Sequence, residues 1–395
     1  MKVPRLPVFL DNHSTTRVDP RVTEEMLPFF DVSYGNASSR QHRFGWEAEA
    51  AVELARVRIA DLVHSEPDEI FFTSGATESI NLCIKGIAEG LSASGNHIVT
   101  CTTEHKAALD TVSRLERYGL RVTLVPVDRY GLVSPADILD AMEKGTILVS
   151  VMMANNEIGT IAPISTIGSM CREKGVFFHV DAAQAVGRIP VDVRSLQIDL
   201  LSFSAHKMYG PKGVGAAFIR KATPRIPVSA QLDGGGHESG IRPGTLNVPG
   251  IVGFGKAAEL AAAEMQEEVI RVSHLRDRLV GELTSSLDGV TVNGHPEQRL
   301  PNNANLAFSG CNADAIMMAM KDIAVSSGSA CSSASPEPSH VLKAIGADGE
   351  VLRGSIRFGL GRFTTEEEIS YAVRRVTETV RALRQNVNAK AFAHS

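Results

Sequence analysis

The chain has 395 residues, 43% of them hydrophobic and 22% charged, with a formal net charge of −5. That is enough apolar material for two cores, because a single core stops growing at roughly 250–300 residues. The mild acidity, without any block of like charge, argues against nucleic acid or an anionic membrane as partner, and no apolar run is long enough to span a bilayer.

The opening stretch "MKVPRLPVFLDNHSTT" has one brief apolar patch broken by prolines. It lacks the features of a signal or transit peptide, so a cytoplasmic location is expected. Five scattered cysteines (Cys83, Cys101, Cys171, Cys311 and Cys331) form no C-x-x-C pair. This argues against a disulfide framework and a zinc site and suits a reducing compartment.

From about residue 68 to 220, short β-branched or aromatic runs alternate with longer helical patterns. The predicted strands are "EIFFTS", "HIVTCT", "RVTLVPV", "TILVSVM", "VFFHVDA", "DLLSFSA" and "GVGAAFIR". This rhythm predicts an α/β fold with a mainly parallel, doubly wound sheet, whose ligands bind beyond the carboxyl ends of the strands. After about residue 250 the pattern changes to one or two long helices and then mixed strand and helix, which predicts a smaller α+β domain. The last helix opens at "TTEEEI", where Thr365 and Glu368 make a capping box.

Several predicted strands end on chemically capable residues. "FFTSGATESINL" places Gly75, Ala76 and Thr77 between a strand and a helix, where free N–H groups can take a phosphate or simply form an N-cap. "FFHVDAAQAVG" ends a strand on Asp181, with Gln184 three residues on. A carboxylate there needs a cation or good hydrogen bonds, and a salt bridge or helix cap would also explain it. "SFSAHKMYGPKG" puts Lys207 after another strand, beside Ser204 and His206. A lysine desolvated next to a second cationic group loses its proton readily and can form a Schiff base, whereas an exposed turn lysine would do nothing. Together the phosphate cup, the acid and the lysine are what pyridoxal phosphate requires.

His105 in "TTEHKA" could stack on a cofactor ring and move protons, or cap a helix. "ANNEIGT" ends a further strand with Asn155, Asn156 and Glu157, and the glycine-rich stretch at 234–247 reads as a loop. "SSGSACSSASPEPSH" sets Cys331 among small polar residues, where a thiol is accessible and reacts if its thiolate is favoured. No G-x-S-x-G elbow competes with it as a nucleophile. Cys83, Cys101 and Cys171 read as packing residues.

With these residues in view, the chain resembles the cysteine desulfurases of NifS/IscS type within the class V aminotransferase-like family, nearly end to end. The matching stretches include "LDNHSTTRVDPRV", "YGNASSRQHRFG", "FTSGATESINL", "HVDAAQAVG", "SFSAHKMYGPKGVG", "GGGHESGIRPGT" and "IRFGLGRFTTEEEI". The resemblance implies pyridoxal phosphate fold type I and a homodimer with cofactor sites at the subunit interface. It further implies a large cofactor-binding domain over 16–258, with 1–15 and 259–395 forming the small domain that carries the cysteine loop.

By the same resemblance, Lys207 would hold the cofactor, His105 would stack on its ring and transfer protons, Asp181 would pair with the ring nitrogen, and Gln184 would bond the phenolic oxygen. Ala76, Thr77, Ser204, His206 and, from the other subunit, Thr245 would hold the phosphate. Asn156 and Arg357 would orient the substrate L-cysteine. Cys331 would take its sulfur as a persulfide, releasing alanine, and pass it to an acceptor such as an iron–sulfur scaffold or a thiolation pathway. No resident metal is implied, though Cys331 is a candidate ligand for a transferred iron–sulfur cluster.

Four features depart from the family pattern: His13, where a small or amide residue is common; Pro243; the short "SGCNADA"; and the tail "RQNVNAKAFAHS". Two rival readings are a lyase or transaminase using the same cofactor, which would not need Cys331, and a non-catalytic relative.

Overall fold

The computed structural model describes residues 4–223, 225–327 and 338–393. Seven strands make the large sheet: β2 (Ile70–Thr73), β3 (His97–Cys101), β4 (Arg121–Val125), β5 (Thr146–Met152), β6 (Phe177–Asp181), β7 (Leu200–Ser204) and β8 (Gly215–Ile219). They follow β1 (Val8–Phe9) in the chain, and their order across the sheet is β2-β8-β7-β6-β5-β3-β4. Five of them, β7 through β4, run parallel, as the alternation predicts. Strand β8 does not: it pairs antiparallel with both β7 and β2. The reason is the connection. Only residues 205–214 separate β7 from β8, too few for a helical crossover, so the chain turns back on itself, and Lys207 lies in that turn.

All but the edge strand β4 are buried along nearly their whole length, and helices cover both faces. One face packs on Arg43–Val63 and Val248–Ser286, the other on Ala76–Gly90 and Lys106–Glu116. The long apolar pattern after residue 250 forms a single helix of 39 residues rather than two. Its first half, with Ile251, Phe254 and Leu260, fills the large core. Its second half, with Val272, Leu275, Leu279 and Leu283, fills another.

That second core closes over a three-stranded antiparallel sheet in which β10 (Asn303–Phe308) lies between β9 (Val290–Asn293) and β12 (Ser355–Gly359). β1 joins it from the far end of the sequence by pairing parallel with β11 (Ile323–Ala324). The final helix opens with the predicted capping box: Thr365 N–H donates to Glu368 at 2.9 Å, and Glu368 N–H donates to the Thr365 hydroxyl at 3.2 Å. Among the described residues, no helix is long and apolar enough to cross a membrane, and no cluster of three His, Cys, Asp or Glu could hold a metal.

Candidate active site

A cavity of about 590 Å³ opens at the carboxyl ends of β2, β5, β6 and β7. Its lining brings together Ala76, Thr77, His105, Asn156, Asp181, Gln184, Ser204, His206 and Lys207, nine of the residues singled out from the sequence. Each sits where its strand runs out, which is why residues far apart in the chain converge.

On one wall, helix Ala76–Gly90 begins after Gly75, whose φ of +155° is open to glycine alone. A Cβ on Gly215, at the start of β8, would come within 2.6 Å of the Gly75 Cα, so two backbones meet here without side chains between them. Gly75, Ala76, Thr77 and Glu78 at this helix start line the cavity, and a helix's first turn leaves backbone N–H groups available to an anion. Glu78 in the same turn would oppose an anion, but Arg242 reaches back from the glycine-rich loop to bond both its oxygens, at 2.7 and 3.2 Å. Burial pushes His206 down to about 4, helped by Lys207 and Lys212, so its imidazole is neutral and its Nδ1 lies 3.1 Å from the Thr15 hydroxyl.

Opposite, Asp181 is buried at the end of β6 and accepts the Ala183 N–H at 2.9 Å. Burial raises its pKa, while His105 and Lys207 pull against that. His105 caps helix Lys106–Glu116, its Nδ1 accepting the Ala107 N–H at 3.0 Å. Beneath it the carboxyl of Glu104 is fully buried; one oxygen accepts the Met152 N–H at 2.7 Å, the other has no partner, and desolvation drives its pKa well up.

Lys207 reaches across the cavity floor to donate to the backbone carbonyls of His13 and of Ser14, the latter at 2.9 Å. The N-terminal segment is therefore part of the site, which local sequence reading alone did not reveal. His13, noticed only as a departure, is clamped: its Nδ1 donates to the Gln184 Oε1 at 2.9 Å, and its Nε2 accepts from Asn303 at 3.2 Å. Burial, with Arg357 second, pushes it down to about 3, matching that neutral tautomer. Gln184 is occupied at both ends, since its amide also donates to the His13 carbonyl at 3.0 Å.

Arg357 lies just outside the lining, on β12, with its guanidinium buried. It donates to the Asn156 carbonyl at 2.8 Å and to Asp11 at 2.9 Å, and its Nε has no partner. Thr245 is exposed on the glycine-rich loop and is not part of this cavity. Cys331 lies outside the described residues. Cys83, Cys101 and Cys171 are buried, and desolvation raises their thiol pKa values, Cys83 and Cys171 to about 12, as packing residues require.

The donor set fits pyridoxal phosphate: a helix start for a dianion, a buried carboxylate for a ring nitrogen, an imidazole at the wall, and an amine within the same cavity. A doubly wound sheet with these groups at its strand ends defines a fold type I pyridoxal phosphate enzyme. Residues 8–371 match the family model for aminotransferase class-V. The chain is 56% identical over 381 residues, 96% of its length and 94% of the relative's, to the cysteine desulfurase IscS of Anaeromyxobacter dehalogenans (strain 2CP-C). It is 52% identical over 382 residues, again 96% and 94%, to that of Pectobacterium carotovorum subsp. carotovorum (strain PC1).

Among solved structures, a NifS-like protein superposes with a TM-score of 0.89 at 39% identity, covering 95% of this chain and 99% of that one. A second, described as SspA in complex with cysteine, superposes at 0.79 with 35% identity, covering 91% and 100%. The chain belongs to the aminotransferase class-V family and, within it, to the IscS-type cysteine desulfurases.

Proposed function

We propose that the protein is a pyridoxal phosphate-dependent cysteine desulfurase that converts L-cysteine to L-alanine and passes the sulfur to Cys331 as a persulfide. The observation that carries this reading is Lys207, held by two carbonyls inside a cavity that also presents Asp181, His105 and the start of helix Ala76–Gly90. When bound, the cofactor withdraws electrons from the substrate carbons and so weakens the carbon–sulfur bond.

In this reading Ala76, Thr77, Ser204 and His206 hold the phosphate, with Thr245 supplied by a second copy of the chain. Asp181 faces the ring nitrogen, where a positive charge restores the carboxylate that burial alone disfavours. Gln184 bonds the phenolic oxygen after giving up one of its contacts with His13. Asn156 and Arg357 take the substrate carboxylate, His105 and the Lys207 amine move its α-proton, and His13, held neutral, adds no competing charge. The Cys331 thiolate attacks the substrate sulfur. A sulfur–sulfur bond forms, the carbon–sulfur bond breaks with its electron pair left on carbon, and a proton there completes alanine.

Exposed Tyr34 and Phe44, whose rings lie 5.3 Å apart, support a homodimer, since adjoining exposed apolar side chains mark an interface. The sulfur is destined for an acceptor protein in iron–sulfur cluster assembly or for thiolation of other molecules, in the cytoplasm. The test measures sulfide and alanine release from L-cysteine with excess thiol reductant, comparing wild type with Cys331→Ala while the visible spectrum follows the bound cofactor. The variant should keep the spectrum and lose turnover. Full activity in the variant would instead make the enzyme a lyase.

A further inference from the structure

The chain on either side of residues 328–337, which carry Cys331, is tied to the two elements that carry Arg357 and Asn156. On the N-terminal side, Ser326 pairs with Arg357 itself: Arg357 N–H donates to the Ser326 carbonyl at 2.7 Å, and Ser326 N–H donates back at 3.3 Å. On the C-terminal side, the chain does not return to the small-domain core. Ser339 caps helix His340–Ala344, and its buried hydroxyl donates to the carboxyl of Glu157.

His340 adds a second tie, its Nε2 donating to the Glu104 carbonyl at 2.9 Å, next to His105. Val341, Leu342 and Ile345 then pack on Ile158 in a small apolar cluster separate from the larger cores. One turn, Asn155–Ile158, thus serves three ends. Asn156 lines the cavity and its carbonyl supports Arg357, the Glu157 carboxyl takes Ser339, and Ile158 seats the helix that follows. The turn is itself rigid, because Asn155 Oδ1 accepts the N–H groups of Glu157 and Ile158 at 2.8 and 3.0 Å, and the Glu157 carbonyl accepts from Asn303 and Asn305. Nothing in the chemistry of the cavity uses the Glu157 carboxyl, which is nonetheless buried at the cost of desolvation.

We propose that Glu157 and Ser339 are positioning residues: their hydrogen bond fixes where the described chain resumes, two residues beyond 328–337, against the turn that carries Asn156, and so governs the rate at which sulfur reaches Cys331. This rests on the desulfurase reading above. It assigns the pair to the sulfur-transfer step alone, and neither residue touches substrate or cofactor.

The test mixes holoenzyme with one equivalent of L-cysteine and reads two signals. Stopped-flow visible absorbance reports substrate arrival at the cofactor, and quenched alkylation with mass spectrometry reports sulfur on Cys331. Ser339→Ala should slow sulfur arrival roughly 10- to 100-fold, the scale of an ångström of misplacement, while the absorbance change stays within about 2-fold of wild type. Ser339→Thr, which keeps the hydroxyl, should restore the rate. Glu157→Ala tests the other partner with the same expectation, and Glu157→Gln, which keeps an acceptor, should lie close to wild type.

Wild-type sulfur arrival in both alanine variants would overturn the proposal. So would an equal slowing of both signals with a lowered melting temperature, which would make the pair merely structural. Cys331→Ala separates this from the underlying reading: if it still transfers sulfur to the enzyme, the nucleophile is elsewhere and the desulfurase mechanism fails first.

Discussion

His179 lies wholly inside the large core on β6, with Nδ1 2.8 Å from the Ser150 hydroxyl and Nε2 2.9 Å from the Ser202 hydroxyl. Burial pushes its pKa down to about 3, whereas in an unfolded chain histidine titrates near ~6.5. Between pH 7 and pH 5 the unfolded state therefore binds close to one proton that the native state refuses. For a group depressed in this way, stability is fully present above the unfolded pKa and declines as pH falls toward the folded one. Over that interval the loss from this residue is about 2 kcal/mol.

His13 and His206 act in the same direction, and the buried Glu104, Glu157 and Asp181, whose pKa values are raised, act in the opposite one. All of these are common to wild type and to His179→Gln, so the difference between the two proteins isolates His179. Denaturant unfolding at pH 7 and at pH 5, followed by far-UV circular dichroism, should show the variant losing about 2 kcal/mol less than wild type on acidification, whatever its absolute stability. Equal losses in the two proteins would mean that the native state accepts a proton at His179, and the neutral Ser150–His179–Ser202 ladder would be wrong.

Other outcomes follow from the site and its supports. Lys207→Ala should leave the cofactor without its covalent link, so that gel filtration removes the visible band and turnover falls by at least roughly 10³-fold. Arg242→Gln leaves the Glu78 carboxylate unneutralised at the start of helix Ala76–Gly90, the proposed phosphate site; cofactor affinity measured by equilibrium dialysis should weaken by roughly 10-fold. Arg362→Ala removes one of two arginines from Asp19 and from Glu268, which it bonds at 2.9 and 2.8 Å, while Arg21 still holds Asp19 and Arg188 still holds Glu268; it also removes a guanidinium stacked 4.4 Å from the Tyr209 ring. With those partners left in place, a loss of about 1.5–3 kcal/mol is expected in chemical unfolding. Gly215→Ala should displace the Gly75 turn and lower cofactor affinity, while far-UV circular dichroism stays close to wild type.

What could be read in the sequence was local. The alternation of runs marks the strands, and the residues where those runs end are the ones that line the cavity, because a strand's carboxyl end is both a sequence boundary and a place in space. Thr365 with Glu368 announced a helix start three residues apart. Contacts between distant segments left no such mark. His13 meets Asn303 across 290 positions and Arg357 meets Asp11 across 346, and no periodicity couples such residues. Strand β8 reads as one more member of a parallel alternation, and only the shortness of the link after β7 reverses it. Glu104 adjoins a residue that was noticed and Glu157 was noticed without a role, because whether a strand-end side chain turns inward depends on packing from the other core.

The pairing of β1 with β11 sets the order in which the molecule is made. Val8 leaves the ribosome early, and its partner Ile323 follows 315 residues later, a delay of roughly 15–60 s at ~5–20 residues per second. All seven strands of the large sheet are synthesised in that interval, so the α/β core closes while the first fifteen residues wait. His13 and Ser14, whose carbonyls receive Lys207, are held down on one side by β11 and β12. The pocket therefore waits for segments synthesised more than 300 residues after His13 and Ser14 to hold those carbonyls in place.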